Sequence, residues 1–206
     1  DDFSTMPKTK RAIRKKQMAT EAAASAASDK YFFFYSTRSP FSNFHPASFV
    51  DEEGNLFFCS EQYMMYHKAL LFEDHEIAEL ILSEQSDPMR CKIAGRAVRN
   101  FDNDIWQENA RQIVGQGVYL KFSQNPSLKA KLLATNNLTL VEAAANDRVW
   151  GIGFPASKAL TFPTKIWGSN WLGQVLMNAR ERIRHEDDKE RLVTGHEHPQ
   201  KKKTRN

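Results

Sequence analysis

Tyr31-Phe32-Phe33-Phe34-Tyr35 sets five aromatic side chains in succession. Such a run favours extended backbone and carries too much apolar surface to leave in water. The packed part of the chain is therefore expected to open there, on a buried strand. A loop holding Pro40 and Pro46 follows. Phe49-Val50 and Leu56-Phe57-Phe58 then flank Asp51-Glu52-Glu53-Gly54-Asn55, the pattern of a hairpin whose turn carries the glycine.

Beyond residue 59 the apolar spacing changes to that of helices. Ser60 is expected to cap a helix running to about Leu71, and Asp87-Pro88 and Asn125-Pro126 each offer a capping side chain followed by proline at the first helical position. A long helix from about Asp104 to Phe122 places Trp106, Ala110, Ile113, Val114 and Gly117 on one face. Leu172, Val175, Leu176, Ala179 and Ile183 repeat that spacing near the C-terminus. Between them, Leu138 to Ala143 reads as a short strand, and Asn146 to Gly173 as a Trp- and Gly-rich loop long enough to carry function. With 206 residues, 41% of them hydrophobic, the chain suffices for one sizeable core. A single domain over 31–184 is expected, between an arm over 1–30 and a charged tail over 185–206 that frays.

The net charge of +4 is concentrated at the two ends. Lys8, Lys10, Arg11, Arg14, Lys15 and Lys16 lie in the first arm, whose Ala19–Ser28 run has too few large apolar groups to anchor a helix. Lys201, Lys202, Lys203 and Arg205 lie in the last. Such clusters attract phosphate polymers by releasing counterions, and they equally serve as solubilising tails or nuclear-localisation signals. No apolar run is long enough to span a bilayer, so no membrane partner is expected, and the protein is read as intracellular, in the cytoplasm or nucleus. Cys59 and Cys91 are the only cysteines, too few for a disulfide framework, and are expected to be reduced thiols that pack the core. The six histidines show no ligand spacing. No metal site and no cofactor are expected.

Chemistry is carried by three polar groups of residues set among aromatics. In Ser36-Thr37-Arg38-Ser39-Pro40-Phe41-Ser42-Asn43-Phe44, a loop at a strand end would present Arg38, Ser42 and Asn43, an arrangement suited to phosphate. In Ser60-Glu61-Gln62-Tyr63-Met64-Met65-Tyr66-His67-Lys68, Glu61 and Lys68 fall close to one helix face, two turns apart. Glu61 stands in the first turn, where the helix dipole favours a carboxylate over a proton donor. The plainer readings are a helix-start acid and a surface lysine. The third group comprises Glu142, Asn146-Asp147, Trp150-Gly151-Ile152-Gly153 and Trp167-Gly168-Ser169-Asn170, whose flat rings either stack on a base or simply pack the core.

Taken in order, these segments resemble the NADAR, or YbiA-like, family. Phe34-Tyr35-Ser36-Thr37 with Phe41-Ser42-Asn43-Phe44, then Ser60 to Met64 with Lys68, Gly95-Arg96, Trp106, Leu133-Ala134-Thr135, Leu140-Val141-Glu142, Asn146-Asp147, Trp150 to Gly153, Asn170 to Gly173 and Leu176-Met177 carry the likeness. His67 stands where glutamine is common, and Ala143-Ala144-Ala145 replaces a stretch that is more polar in some bacterial members. The resemblance implies an α+β, helix-rich domain with a few short strands that hydrolyses N-glycosidic bonds.

It also implies Glu61 and Lys68 as catalytic residues. Substrate binding would fall to Ser36, Arg38, Asn43, Phe44, Arg96, Trp106, Asp147, Trp150, Gly151, Gly153 and Asn170. Two substrate classes follow, ADP-ribose on guanine of nucleic acid or of a nucleoside, and phosphoribosylamino intermediates of the riboflavin pathway. A non-catalytic reader of ADP-ribose or NAD derivatives is the alternative of another kind. The basic ends favour an ADP-ribosylated nucleic acid as the partner, with the protein acting as a monomer. Lys68 has two open roles, gripping phosphate or attacking the anomeric carbon as an amine, the latter requiring a lowered pKa.

Overall fold

The structure is a computed structural model that describes residues 29–194. The basic clusters of both ends and the Ala19–Ser28 run lie outside those residues. Strand β1, Tyr31–Phe34, pairs in parallel with β4, Thr139–Glu142, in the register Phe34↔Glu142. Strands β2, Phe49–Val50, and β3, Leu56–Phe57, form the expected antiparallel hairpin. Gly54 takes φ +85° in its turn, a conformation open to glycine without strain. Asp51 closes that turn by accepting the Asn55 N–H at 2.7 Å.

Seven α-helices make the body among the described residues: α1 Ser60–Leu71, α2 His75–Ser83, α3 Pro88–Arg96, α4 Asn103–Gln124, α5 Pro126–Ala134, the short α6 Ala156–Ala159, and α7 Trp171–Thr194. A 3₁₀ turn at Thr164–Ile166 completes the series. Asp87 caps α3 as its sequence predicts, its side chain accepting the Met89 N–H ahead of Pro88 at the first position. Phe34, Phe41, Met64, Val114, Phe122, Leu132, Leu140, Leu172 and Leu176 share the main core, so α1, α4 and α7 close around the buried edge of β1 and β4. Both cysteines are free and buried. No helix among the described residues is long and apolar enough to cross a membrane.

Four local expectations are corrected. The aromatic strand is only half-buried: Phe34 is enclosed, but Tyr35 is 63% exposed and Phe32 36%. A two-stranded sheet covers only part of its length, and the alternation of a strand turns Tyr31 and Phe33 onto Trp167 instead. Helix α1 is capped by Cys59, whose sulfur accepts the Gln62 N–H at 3.5 Å, while Ser60 is its first helical residue. Asn125 stands at the N-cap before Pro126 but its side chain makes no capping hydrogen bond; its amide donates instead to the carbonyls of Ser48 and Lys121. Finally, α7 runs on to Thr194 through the charged segment that was expected to fray. Tyr119 of α4 and Lys129 of α5 hold that stretch through Glu186 and Asp187.

Candidate active site

Because β1 and β4 run parallel, the segments leaving their carboxyl ends emerge on the same side. Tyr35, Ser36, Thr37, Ser42 and Phe44 come from the first, and Glu142, Ala144, Asn146 and Asp147 from the second. Helix α3 closes the opening with Met89, Lys92 and Arg96, leaving a cleft of about 500 Å³. Ser36 holds φ 79°, uncommon for a non-glycine residue and frequent at functional turns. The loop is held from beneath. Lys121 of α4, fully buried, donates its ammonium to the Ser42 carbonyl at 2.9 Å, and the Asn43 carbonyl accepts the Glu61 N–H at 2.9 Å. Burial drives the Lys121 pKa down to about 7.

Glu61 and Gln62 are neighbours, both buried, and their hydrogen bonding differs completely. The Gln62 amide accepts from Phe58 N–H at 2.9 Å and donates to the carbonyls of Ile81 and Glu84 at 2.9 and 2.7 Å, riveting the start of α1 to the end of α2. Glu61 Oε1 is enclosed without any hydrogen-bond partner in the protein. Its closest cation, Lys92 Nζ, stands at 4.0 Å. A native fold leaves few buried polar atoms unpaired, and those it leaves mark function.

Burial pushes the Glu61 carboxyl up to about 7, against the pull of Lys92 and Arg96 and with a further push from Asp147. The helix dipole favours the carboxylate by an effect of order 1 kcal/mol, and here loss of water outweighs it.

Glu142 shows the same pattern, with Oε2 buried and unpartnered and its carboxyl raised to about 7 by burial, Asp147 and Glu61. Lys68 lies two turns along α1 from Glu61. Its ammonium donates to the Gly95 carbonyl at 2.8 Å and sits 4.1 Å from the centre of the Phe101 ring. Burial and the charge of Arg96 lower its pKa.

The chain is similar to several proteins of known kinship. The profile of the NADAR domain matches residues 31–184.

The chain belongs to the NADAR family.

"N-glycosidase R617" of Acanthamoeba polyphaga mimivirus is 46% identical over 146 residues, which cover 68% of this chain and 85% of that protein. "Protein irg-1" of Caenorhabditis elegans is 36% identical over 165 residues, 72% of this chain and 77% of its own length. The NMR structure of the Escherichia coli protein YbiA superposes with a TM-score of 0.64 at 30% identity, covering 84% of this chain and 92% of that one.

Within this NADAR domain the residues singled out from the sequence divide into two groups. Ser36, Phe44, Arg96 and Asp147 line the cleft, and Glu61 and Asn43 lie beneath it, the Asn43 amide oxygen also buried and unpartnered. Arg38 is exposed on the loop and is not among the lining residues. Trp106 packs beside Lys68, and Trp150 meets Trp171 edge-on at 5.5 Å, so the rings at the cleft are those of Tyr35 and Phe44.

Gly151, Gly153 and Asn170 serve as scaffold. A side chain at Gly151 would strike Ala144 and the Glu142 carbonyl, and Gly153 takes φ +75°. Asn170 Oδ1 accepts the Glu142 N–H at 2.9 Å while its amide donates to the Leu140 carbonyl at 2.8 Å, pairing the free edge of β4. Lys92 was not singled out from the sequence, and Glu142 was placed in the third polar group without a role of its own. Lys92 lies one turn before Arg96, and that i, i+4 pairing of basic residues on a capped helix was the available signal. Among the described residues, no three His, Cys, Asp or Glu side chains come together as a metal-ligand set.

Proposed function

We propose that this chain hydrolyses an N-glycosidic bond, removing ADP-ribose from guanine bases of nucleic acid. The observation that carries the reading is Glu61, a buried carboxyl with an unpaired oxygen, lying directly beneath a cleft lined by two cations, Lys92 and Arg96. Breaking a ribosyl C–N bond builds positive charge on the sugar, which a carboxylate stabilises while it takes a proton from attacking water. A pyrophosphate requires cations, which Arg96 and Lys92 supply. A module that only binds an anion gains nothing from an unpaired carboxylate beside its phosphate site. Tyr35 and Phe44 offer faces on which a base stacks. The basic clusters near both ends of the sequence suit a polyanionic substrate.

Incubation with ADP-ribosylated single-stranded DNA, its RNA counterpart and a phosphoribosylamino pyrimidine, resolved by chromatography, tests the assignment. Free ADP-ribose and unmodified guanine are expected from the nucleic acids. Turnover of the pyrimidine alone overturns the substrate while leaving the reaction class.

Lys68 is assigned to phosphate, next to Arg96. An ammonium has three donors and Gly95 occupies one of them. Lys68→Ala is then expected to raise KM about tenfold or more and to recover most of its rate at saturating substrate. Turnover that vanishes at every concentration, with a borohydride-trapped adduct mapped to Lys68 in the wild type, would instead make the amine the nucleophile.

A further inference from the structure

We propose that Glu142 is a second catalytic residue of the cleft, the proton donor to the departing base, paired with Glu61 acting on water. The proposal rests on the N-glycosidase reading and extends it to a residue that neither the sequence resemblance nor the relatives assign. Glu142 is the last residue of β4, and its main chain is fixed on both sides. Its N–H goes to Asn170 Oδ1 at 2.9 Å, and its carbonyl accepts the Ile152 N–H at 3.0 Å. A side chain leaving so rigid a point has little freedom, and this one lines the cleft with Oε2 buried and unpartnered. In contrast, the third acid of the cleft, Asp147, already uses Oδ1 to accept the N–H groups of Val149 and Trp150, each at 2.8 Å.

The two glutamates share burial and the neighbours Lys92 and Asp147, but not which of them acts most strongly. The strongest charges acting on Glu61 are the cations Lys92 and Arg96, which favour its carboxylate. The strongest acting on Glu142 are the anions Asp147 and Glu61, which favour its protonated form, with Lys92 opposing more weakly. These charges bias Glu61 toward the base and Glu142 toward the acid, the kind of separation that lets two carboxyls run opposite proton transfers. Cations placed at phosphate are poor donors by comparison, because arginine does not give up its proton.

The step balances without any other reagent. The C1′–N bond breaks and its electron pair goes to the base nitrogen, which takes the Glu142 proton. Water adds its oxygen to C1′ and passes a proton to Glu61. Exchange of that proton with Glu142 or solvent resets the pair, and one water is consumed.

The test is the pH profile of kcat/KM for wild type, Glu142→Gln and Glu142→Asp, on whichever of the ADP-ribosylated oligonucleotide and the phosphoribosylamino pyrimidine the wild type cleaves. Glu142→Gln is expected to fall a hundredfold or more, with KM within about threefold, the melting temperature not lowered, and the alkaline limb of the profile gone. Glu142→Asp, which keeps a carboxyl, is expected to recover that limb at reduced rate. A Gln variant within threefold of wild type, or one that loses the acidic limb instead, overturns the proposal while the N-glycosidase reading stands. A wild type that cleaves neither substrate overturns both.

Discussion

Glu61→Gln is expected to lose a hundredfold or more in kcat/KM and, above pH 7, to melt at a higher temperature than the wild type. The first effect follows from chemistry: the amide keeps the shape of the side chain but neither carries the negative charge the sugar needs nor accepts a proton from water. The second follows from linkage. The buried carboxyl titrates at about 7 instead of the ordinary 4.5. Between those values the folded chain holds a proton that the unfolded chain has released, so stability falls as pH rises through that window and the full penalty is present above it.

That penalty amounts to about 3 kcal/mol, and in a domain of this size each kcal/mol moves the midpoint about 2–4 °C. Glutamine does not ionise, so the variant gains this amount at pH 8 and nothing near pH 4, where both side chains are neutral. Melting curves at the two pH values, with a chromatographic assay of the same preparations, measure both effects. Activity within tenfold of wild type removes Glu61 from the chemistry; unchanged melting at pH 8 means that burial does not raise the titration of its carboxyl.

The same contrast shows what the sequence reveals and what it hides. Period and cap chemistry predict α1, α3, α4, α5 and α7, because Asp87-Pro88 and the apolar faces of α4 and α7 are local signals, whereas α2, capped by Asp74, is not among the expected helices. The expected hairpin around Gly54 forms for the same reason. Glu61 was visible as a candidate, but its ionisation was not: a first-turn acid is ordinarily solvated, and only the packing of α1 under the 35–44 loop removes the water.

Trp106 and Trp150 are not among the lining residues, because rings that large serve either a core or a ligand and the choice depends on tertiary contacts no short window contains. Lys92 escaped, and Glu142 was named without a role, for a related reason. A lysine on a helix and a glutamate at a strand end are common on any surface, and it is the parallel pairing of β1 with β4 that brings them to Glu61.

Gly173→Ala is expected to destabilise the fold by about 3 kcal/mol and to lower turnover at saturating substrate, although Gly173 lies outside the cleft. Helix α7 crosses β4 so closely here that an added Cβ would fall within the Leu140 carbonyl oxygen and the Asn170 side-chain amide. The first obstacle is backbone and cannot swing aside, so the helix must move. The second is the side chain that accepts the Glu142 N–H and donates to Leu140, so the displacement reaches the end of β4.

Gly115→Ala on α4 is the control, since its Cβ would meet only Val175 at 3.8 Å, an ordinary contact. A helical glycine replaced by alanine in open space gains about 0.5–1 kcal/mol. The two substitutions, chemically identical and both on the α4–α7 pair, are thus expected to move the urea midpoint in opposite directions. Only Gly173→Ala should lower kcat. Equal stabilisation by both would mean that α7 does not press on β4 as described, and with it that Asn170 does not fix Glu142.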